Sequence, residues 1–188
     1  TVGLAADLMQ AMGMSVAQLP GGEIVPAMEK GVIDAFEFNN PTSDRRFGAQ
    51  DVAKNYMMGS HHQATEYFEI MFNKGKFGAL AKEQQAILQY AAEATSSANE
   101  WKSMDYYSKD LQELKDKDKV NIIRTPKDVF DAQIKAWDGL VAGLAKDPFM
   151  KKVMDSQKAW SKRVVYYGMF NATDYRGAYE HHFGKLAI

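Results

Sequence analysis

The sequence predicts an α/β fold, and three observations carry that expectation. Short amphipathic stretches alternate with short β-rich runs over residues 1–40. A further β-rich run follows at Tyr67–Phe72, and a Gly- and Pro-free tract from Lys82 to Lys119 fills the middle of the chain. Helix and strand alternating at short spacing is the pattern of parallel α/β units.

Leu4, Leu8 and Met12 recur at spacing four, so Gly3–Met12 reads as an amphipathic helix that Gly13 ends. Ser15–Leu19 reads as a short strand, Pro20-Gly21-Gly22 as a turn, and Glu23–Lys30 as a second helix closed by Gly31. Val32–Phe38, rich in Val, Ile and Phe, is the next strand, and Asn39–Asp44 a loop of turn formers. Tyr67–Phe72 sets Phe68, Ile70 and Phe72 on one face, where they are expected to supply apolar burial, and Asn73–Lys76 closes that strand.

From Lys82 the apolar stripe runs through Ile87, Tyr90, Ala94, Trp101, Leu111 and Leu114 at helical spacing. Unbroken, this helix reaches roughly 55 Å at about 1.5 Å per residue. It is expected to pass between lobes or to kink, with Ser96-Ser97 as the break point. Val120–Arg124 reads as a strand. Thr125 then caps a helix with Pro126 at its first position, running to about Lys146. Asp147-Pro148 opens another helix to about Val165, and Asn171 caps a final segment through Phe183.

Composition excludes several classes of function. Net charge is −1, which gives no electrostatic footprint for nucleic acid or an anionic membrane. No uncharged apolar run reaches the roughly 18 residues that span a bilayer. Thr1 opens an amphipathic stretch with no basic leader pattern. Cysteine is absent, so disulfides, thiolate nucleophiles and Cys-based zinc sites are excluded. His61-His62 and His181-His182 are adjacent pairs whose side chains diverge in a regular element. Lys115, Lys117 and Lys119 alternate with Asp116 and Asp118, a solvated helix end and not a basic patch. No phosphate-binding loop, HExxH or GxSxG is present, and no nucleophile–base pair is visible. The expectation is therefore a protein that is not an enzyme and carries no redox or group-transfer cofactor.

One acidic residue stands out. Glu37 lies near the C-terminal end of the Val32–Phe38 run, and glutamate is depleted in strands and costly to bury unpaired. In parallel sheets the carboxyl ends of strands are where ligands bind. A carboxylate beside Asn39 and Asn40 offers hard oxygen ligands for Na⁺ or Ca²⁺. The alternative is a strand that has emerged into water and leaves Glu37 merely solvated.

The run from Gln18 through Leu19-Pro20-Gly21-Gly22-Glu23 and Gly31-Val32-Ile33-Asp34-Ala35 to Glu37-Phe38 resembles the DctP-type substrate-binding subunits of TRAP transporters. Tyr67–Lys74 is similar to that family's strand ending in Asn-Lys, and the likeness extends over the long helix and the Asp147-Pro148 helix. The resemblance implies a periplasmic receptor with a two-lobed α/β fold and a long inter-lobe helix. Its lobes would close on a small organic acid and deliver it to a TRAP membrane permease. Residues 1–188 would be a C-terminal portion with segments of both lobes and a helical C-terminus.

Within the family the chain looks most like the branch that binds 2-oxo acids, lactate or similar carboxylates with a metal ion. Its acidic–aromatic pair matches Glu37-Phe38, with Phe where that branch usually has Trp. The implied ion ligands are the Glu37 side chain, the Phe38 carbonyl and Gln63, and the implied residues facing the acid are Glu37, Phe38, Asn39, His62 and Gln63. The family's carboxylate-clamping Arg would fall at or just before Thr1. The chain by itself is thus expected to fold yet to bind organic acids poorly or not at all. A competing expectation is an interaction module with no ligand site of its own, in which the long helix and the aromatic-rich C-terminal helix (Tyr166, Tyr167, Phe170, Tyr175, Tyr179) mediate a homodimer.

Overall fold

The computed structural model describes residues 1–62 and 67–186. Among these the chain forms α1 (Gly3–Ala11), α2 (Gly21–Glu29), α3 (Pro41–Phe47), α4 (Ala49–Val52), β1 (Asn55–Met58), α5 (Lys74–Gly78) and α6 (Lys82–Asp116). β2 (Asn121–Arg124), α7 (Lys127–Leu144), α8 (Pro148–Asn171) and α9 (Tyr175–Phe183) complete it. Two compact units result. Unit 1 gathers Ala17–Met57 with α5 and α6; unit 2 gathers Val2–Val16, Met58–His62 and α7 to α9. No helix among the described residues is long and apolar enough to cross a membrane.

β1 and β2 pair with each other. The Asn121 N–H bonds to Lys54 C=O and the Thr125 N–H to Met58 C=O, each at 2.8 Å. Partners advance together along both strands, so the pair is parallel, as an α/β chain requires. β2 lies where the sequence places it; β1 was not expected.

Ser15–Leu19, Val32–Phe38 and Tyr67–Phe72 are not strands. For Val32–Phe38 the cause is visible at both ends. Gly31, at φ +67°, closes α2 with paired bonds: its own N–H to Met28 C=O at 3.1 Å and the Val32 N–H to Ala27 C=O at 2.9 Å. At the other end the Asn39 N–H goes to the Asp44 side chain at 3.1 Å. These amides are committed to helix ends and are lost to any ladder. Phe68 and Ile70 are 80% and 68% exposed, so that run does not supply the expected burial.

Other boundaries move for similar local reasons. Asn40 accepts from Ser43 N–H at 3.0 Å and starts α3 inside the expected loop. Asn73 does the same for Lys76 N–H at 3.0 Å, turning the expected Asn73–Lys76 closure into α5. Gly21 and Gly22 belong to the first turn of α2. Asp147 caps α8 as expected, at 2.8 Å from Met150 N–H, but the helix runs past Val165 to Asn171. α9 is capped by Asp174, not Asn171: its carboxylate accepts from Gly177 N–H at 2.8 Å.

α6 is continuous through Ser96-Ser97. The Ser96 hydroxyl donates to Ala92 C=O at 2.8 Å, so the serine is satisfied within the helix and breaks nothing. The C-terminal end of α6 carries the packing of unit 1. Leu114 is buried there, and Arg45 of α3 reaches three acidic side chains: Asp110 at 3.3 Å, Glu113 at 2.5 Å and Asp118 at 2.9 Å. One planar guanidinium serving three carboxylates fastens α3 to α6 more firmly than separate surface pairs would. In unit 2, α1 packs on α7, with Ala5, Ala6 and Leu8 buried.

Candidate functional site

The segment Glu37–Asn40 is held on both sides. The Phe38 ring stacks on Phe47 of α3, centroids 4.4 Å apart and planes 11° apart, and Phe36 meets the same ring at 6.3 Å. A Cβ at Gly21 would come within 3.4 Å of the Phe38 ring, so glycine lets the start of α2 lie close beneath it. On the other flank stands Asp44, 5% exposed. Its carboxylate accepts the Asn39 N–H at 3.1 Å and the Tyr56 hydroxyl at 2.8 Å.

Burial pushes the Asp44 carboxyl above its ordinary value. The hydrogen bonds from Tyr56 and Asn39 draw it part of the way back, and the neighbouring charge of Glu37 adds to the rise. Burial likewise pushes the Tyr56 phenol up, reinforced by the Asp44 charge. Two carboxylates thus share this corner of unit 1 closely enough to repel.

Glu37 is half-buried, and its carboxylate and the carbonyl of Phe38 are hard oxygens on adjacent residues. Hard oxygens of this kind are the donor type that Na⁺ and Ca²⁺ take. Among the described residues no three His, Asp or Glu side chains gather to hold a metal. An ion at Glu37 would therefore draw on carbonyl and amide oxygens as well. Asn40 is occupied as the cap of α3, and its amide donates to Asn39 Oδ1. Of the two asparagines beside Glu37, Asn40 is thus a structural residue.

His62 belongs to unit 2, and Gln63 lies outside the described residues. The turn that carries His62 is pinned along its length. Met58 C=O accepts both the Thr125 N–H at 2.8 Å and the Thr125 hydroxyl at 2.9 Å, and Gly59 takes φ +78°, open to glycine without strain. Gln133 of α7 bonds to both Ser60 and His61, the His61 ring meets Phe130 edge-on at 5.7 Å, and Ser60 Oγ lies 2.6 Å from His62 Nδ1.

Asp44, Tyr56, Ser60 and Gln133 were not among the residues expected at the site. Gln133 did leave a signal: it interrupts the apolar stripe Phe130, Trp137, Leu140 of α7 at helical spacing. A lone amide in such a stripe must find partners when buried.

The family profile described as "Bacterial extracellular solute-binding protein, family 7" matches residues 2–147. A monocarboxylate 2-oxoacid-binding periplasmic protein of Nostoc sp. is 26% identical over 176 residues, which cover 92% of this chain and 48% of that protein. A TRAP periplasmic solute-binding protein of Colwellia psychrerythraea, solved with bound calcium and pyruvate, is 29% identical with a TM-score of 0.75. That match covers 90% of this chain and 54% of the other. One from Pseudoalteromonas atlantica, solved with bound sodium and pyruvate, is 25% identical with a TM-score of 0.69, covering 91% and 54%. The chain thus spans about half the length of the relatives it matches. The two-lobed α/β fold expected from the sequence is the fold of these structures.

Proposed function

The chain belongs to family 7 of the bacterial extracellular solute-binding proteins, and on that footing we propose that it is part of a periplasmic receptor for a small organic acid. The acid is a 2-oxo or 2-hydroxy monocarboxylate bound together with Na⁺ or Ca²⁺, and the receptor hands it to a TRAP membrane permease without any reaction. The observation that carries this is the Glu37-Phe38 pair on a segment stacked on Phe47 and bonded to buried Asp44. Similar proteins solved with pyruvate and calcium or sodium support the ligand class.

Glu37, the Phe38 carbonyl and Gln63 would hold the ion, and Asn39 and His62 would meet the acid. When bound, the ion supplies positive charge that offsets both Glu37 and the ligand carboxylate. Without it Glu37 repels an anion. Calorimetric titration of the full-length natural protein with pyruvate tests this. Saturable binding that needs calcium or sodium is the expected result. Absence of binding to pyruvate, lactate and related acids in either ion would sink it.

A second reading concerns the C-terminal helices. α8 and α9 leave Tyr166, Phe170, Tyr175 and Phe183 largely exposed, the last at 74%. Aromatic faces of this kind mark interfaces, and we propose that they pair two copies of the receptor. Light scattering of the full-length protein should give a particle of twice the chain mass, reduced to the monomer by truncation before Asn171. A monomer before truncation refutes pairing.

A further inference from the structure

α3 carries the residues that hold the Glu37–Asn40 segment, and it is only seven residues long. Hydrogen bonds within so short a helix do not keep it in place, so its side-chain contacts decide where it sits. Asp44 and Phe47 are three residues apart and share a face. That face takes the Asn39 N–H and the stacked Phe38 ring. Arg45 lies about 100° round the helix axis from Asp44, and its guanidinium points to the C-terminal end of α6.

The acceptors of Arg45 are themselves held. Nε donates to Asp118 at 2.9 Å, and Nη1 meets Asp110 at 3.3 Å and Glu113 at 2.5 Å. Asp110 and Glu113 are three residues apart on α6, and Asp118 lies just past the helix end. There the Asp118 N–H bonds to Glu113 C=O at 3.1 Å, and Lys54 Nζ donates to Asp118 C=O at 3.3 Å. On the other side the Tyr56 hydroxyl of β1 holds Asp44. A short helix tied at one point can swivel. Ties to β1 and to α6 fix both its place and its rotation.

We infer that Arg45 is a positioning residue for the ion: its ties to α6 fix α3, and through Asp44 and Phe47 they fix the oxygens of Glu37 and Phe38. Arg45 acts through the helix and not by contact with ion or acid. A calcium shell spans about 2.3–2.6 Å, so ligand oxygens set loose from their helix hold the ion less well. The inference rests on the receptor reading for the ion, whereas the hold of Arg45 on the segment does not.

The test titrates calcium into the full-length natural protein at saturating pyruvate, at a temperature where every variant is folded. Amide hydrogen exchange over residues 37–47 is followed in parallel without ligand. Arg45→Met should weaken calcium by about tenfold, the lower end of what losing a ligand-orienting contact costs. Arg45→Lys keeps the charge without the planar fork and should fall between that variant and wild type. Exchange over the segment should quicken in the same order. Asp118→Asn leaves Arg45 in place but removes one charged tie, and a smaller loss in the same direction is expected. It serves as the second arm if Arg45→Met does not fold. A purely structural Arg45 would lower the melting temperature and leave calcium affinity unchanged in the folded variants, which overturns the inference. Unaltered exchange over the segment in Arg45→Lys and Asp118→Asn overturns it as well. Faster exchange in the variants, with no calcium or pyruvate bound even by wild type, upholds the hold of Arg45 on the segment and counts against the receptor reading.

Discussion

Replacing Asp44 with alanine is expected to cost about 2–4 kcal/mol of stability, whereas the asparagine variant should lie within about 1 kcal/mol of wild type. The difference follows from the two donors that meet in one buried carboxylate. Alanine leaves the Asn39 N–H and the Tyr56 hydroxyl without their acceptor in a corner that is 5% exposed. Asparagine keeps one oxygen for the Asn39 N–H, can donate its amide to the phenol oxygen, and removes a buried negative charge.

The pH dependence has a definite sign. Burial raises the folded carboxyl above its ordinary value, so the folded state holds this proton more tightly than the unfolded chain does. The Asp44 contribution is therefore most favourable at low pH. It declines as pH rises from the ordinary carboxylate value through the raised one. Denaturation of wild type and Asp44→Asn in parallel should show the asparagine variant gaining on wild type across that window. A constant difference would mean that Asp44 titrates normally.

Replacing Glu37 with glutamine in the full-length natural protein is expected to weaken cation-dependent binding of pyruvate by about 2–3 kcal/mol, or roughly 30- to 150-fold. The amide keeps the size and one hard oxygen but loses the charge that attracts the ion at a half-buried position. Fold stability should barely change, and the loss of Glu37 repulsion should lower the Asp44 carboxyl. Calorimetry at saturating calcium decides the point. Undiminished affinity would remove Glu37 from the ion site.

The sequence made the long helix and the Asp147 cap legible, and most other caps and the sheet poorly so. α6 is visible because 35 consecutive residues lack Gly and Pro, and helical hydrogen bonds are local. Strands depend on partners elsewhere. Tyr67–Phe72 has the period-2 pattern and the β-rich composition, yet nothing in those six residues says whether a neighbour will pair with them. Conversely β1 is four residues of ordinary composition, found only because β2 lies beside it.

At the site, Glu37 stood out because a carboxylate in an apolar run is chemically out of place. Asp44 gave no such signal. In sequence it is the last residue of a loop of turn formers, where aspartate is common. Only the approach of Tyr56 from β1 and the folding back of Asn39 make it a buried acceptor. The pinning of the Ser60–His61 turn by Gln133 was hidden for the same reason, since Ser60 and Gln133 are 73 residues apart in the chain.

The most direct measurement is a crystal structure of the full-length natural protein grown with calcium and pyruvate, with the ion located by its anomalous signal. The ion should lie at about 2.3–2.6 Å from a Glu37 carboxylate oxygen and from the Phe38 carbonyl oxygen, with Gln63 and the pyruvate carboxylate completing its shell. An ion bound elsewhere, or pyruvate seated with no cation beside Glu37, would contradict the account.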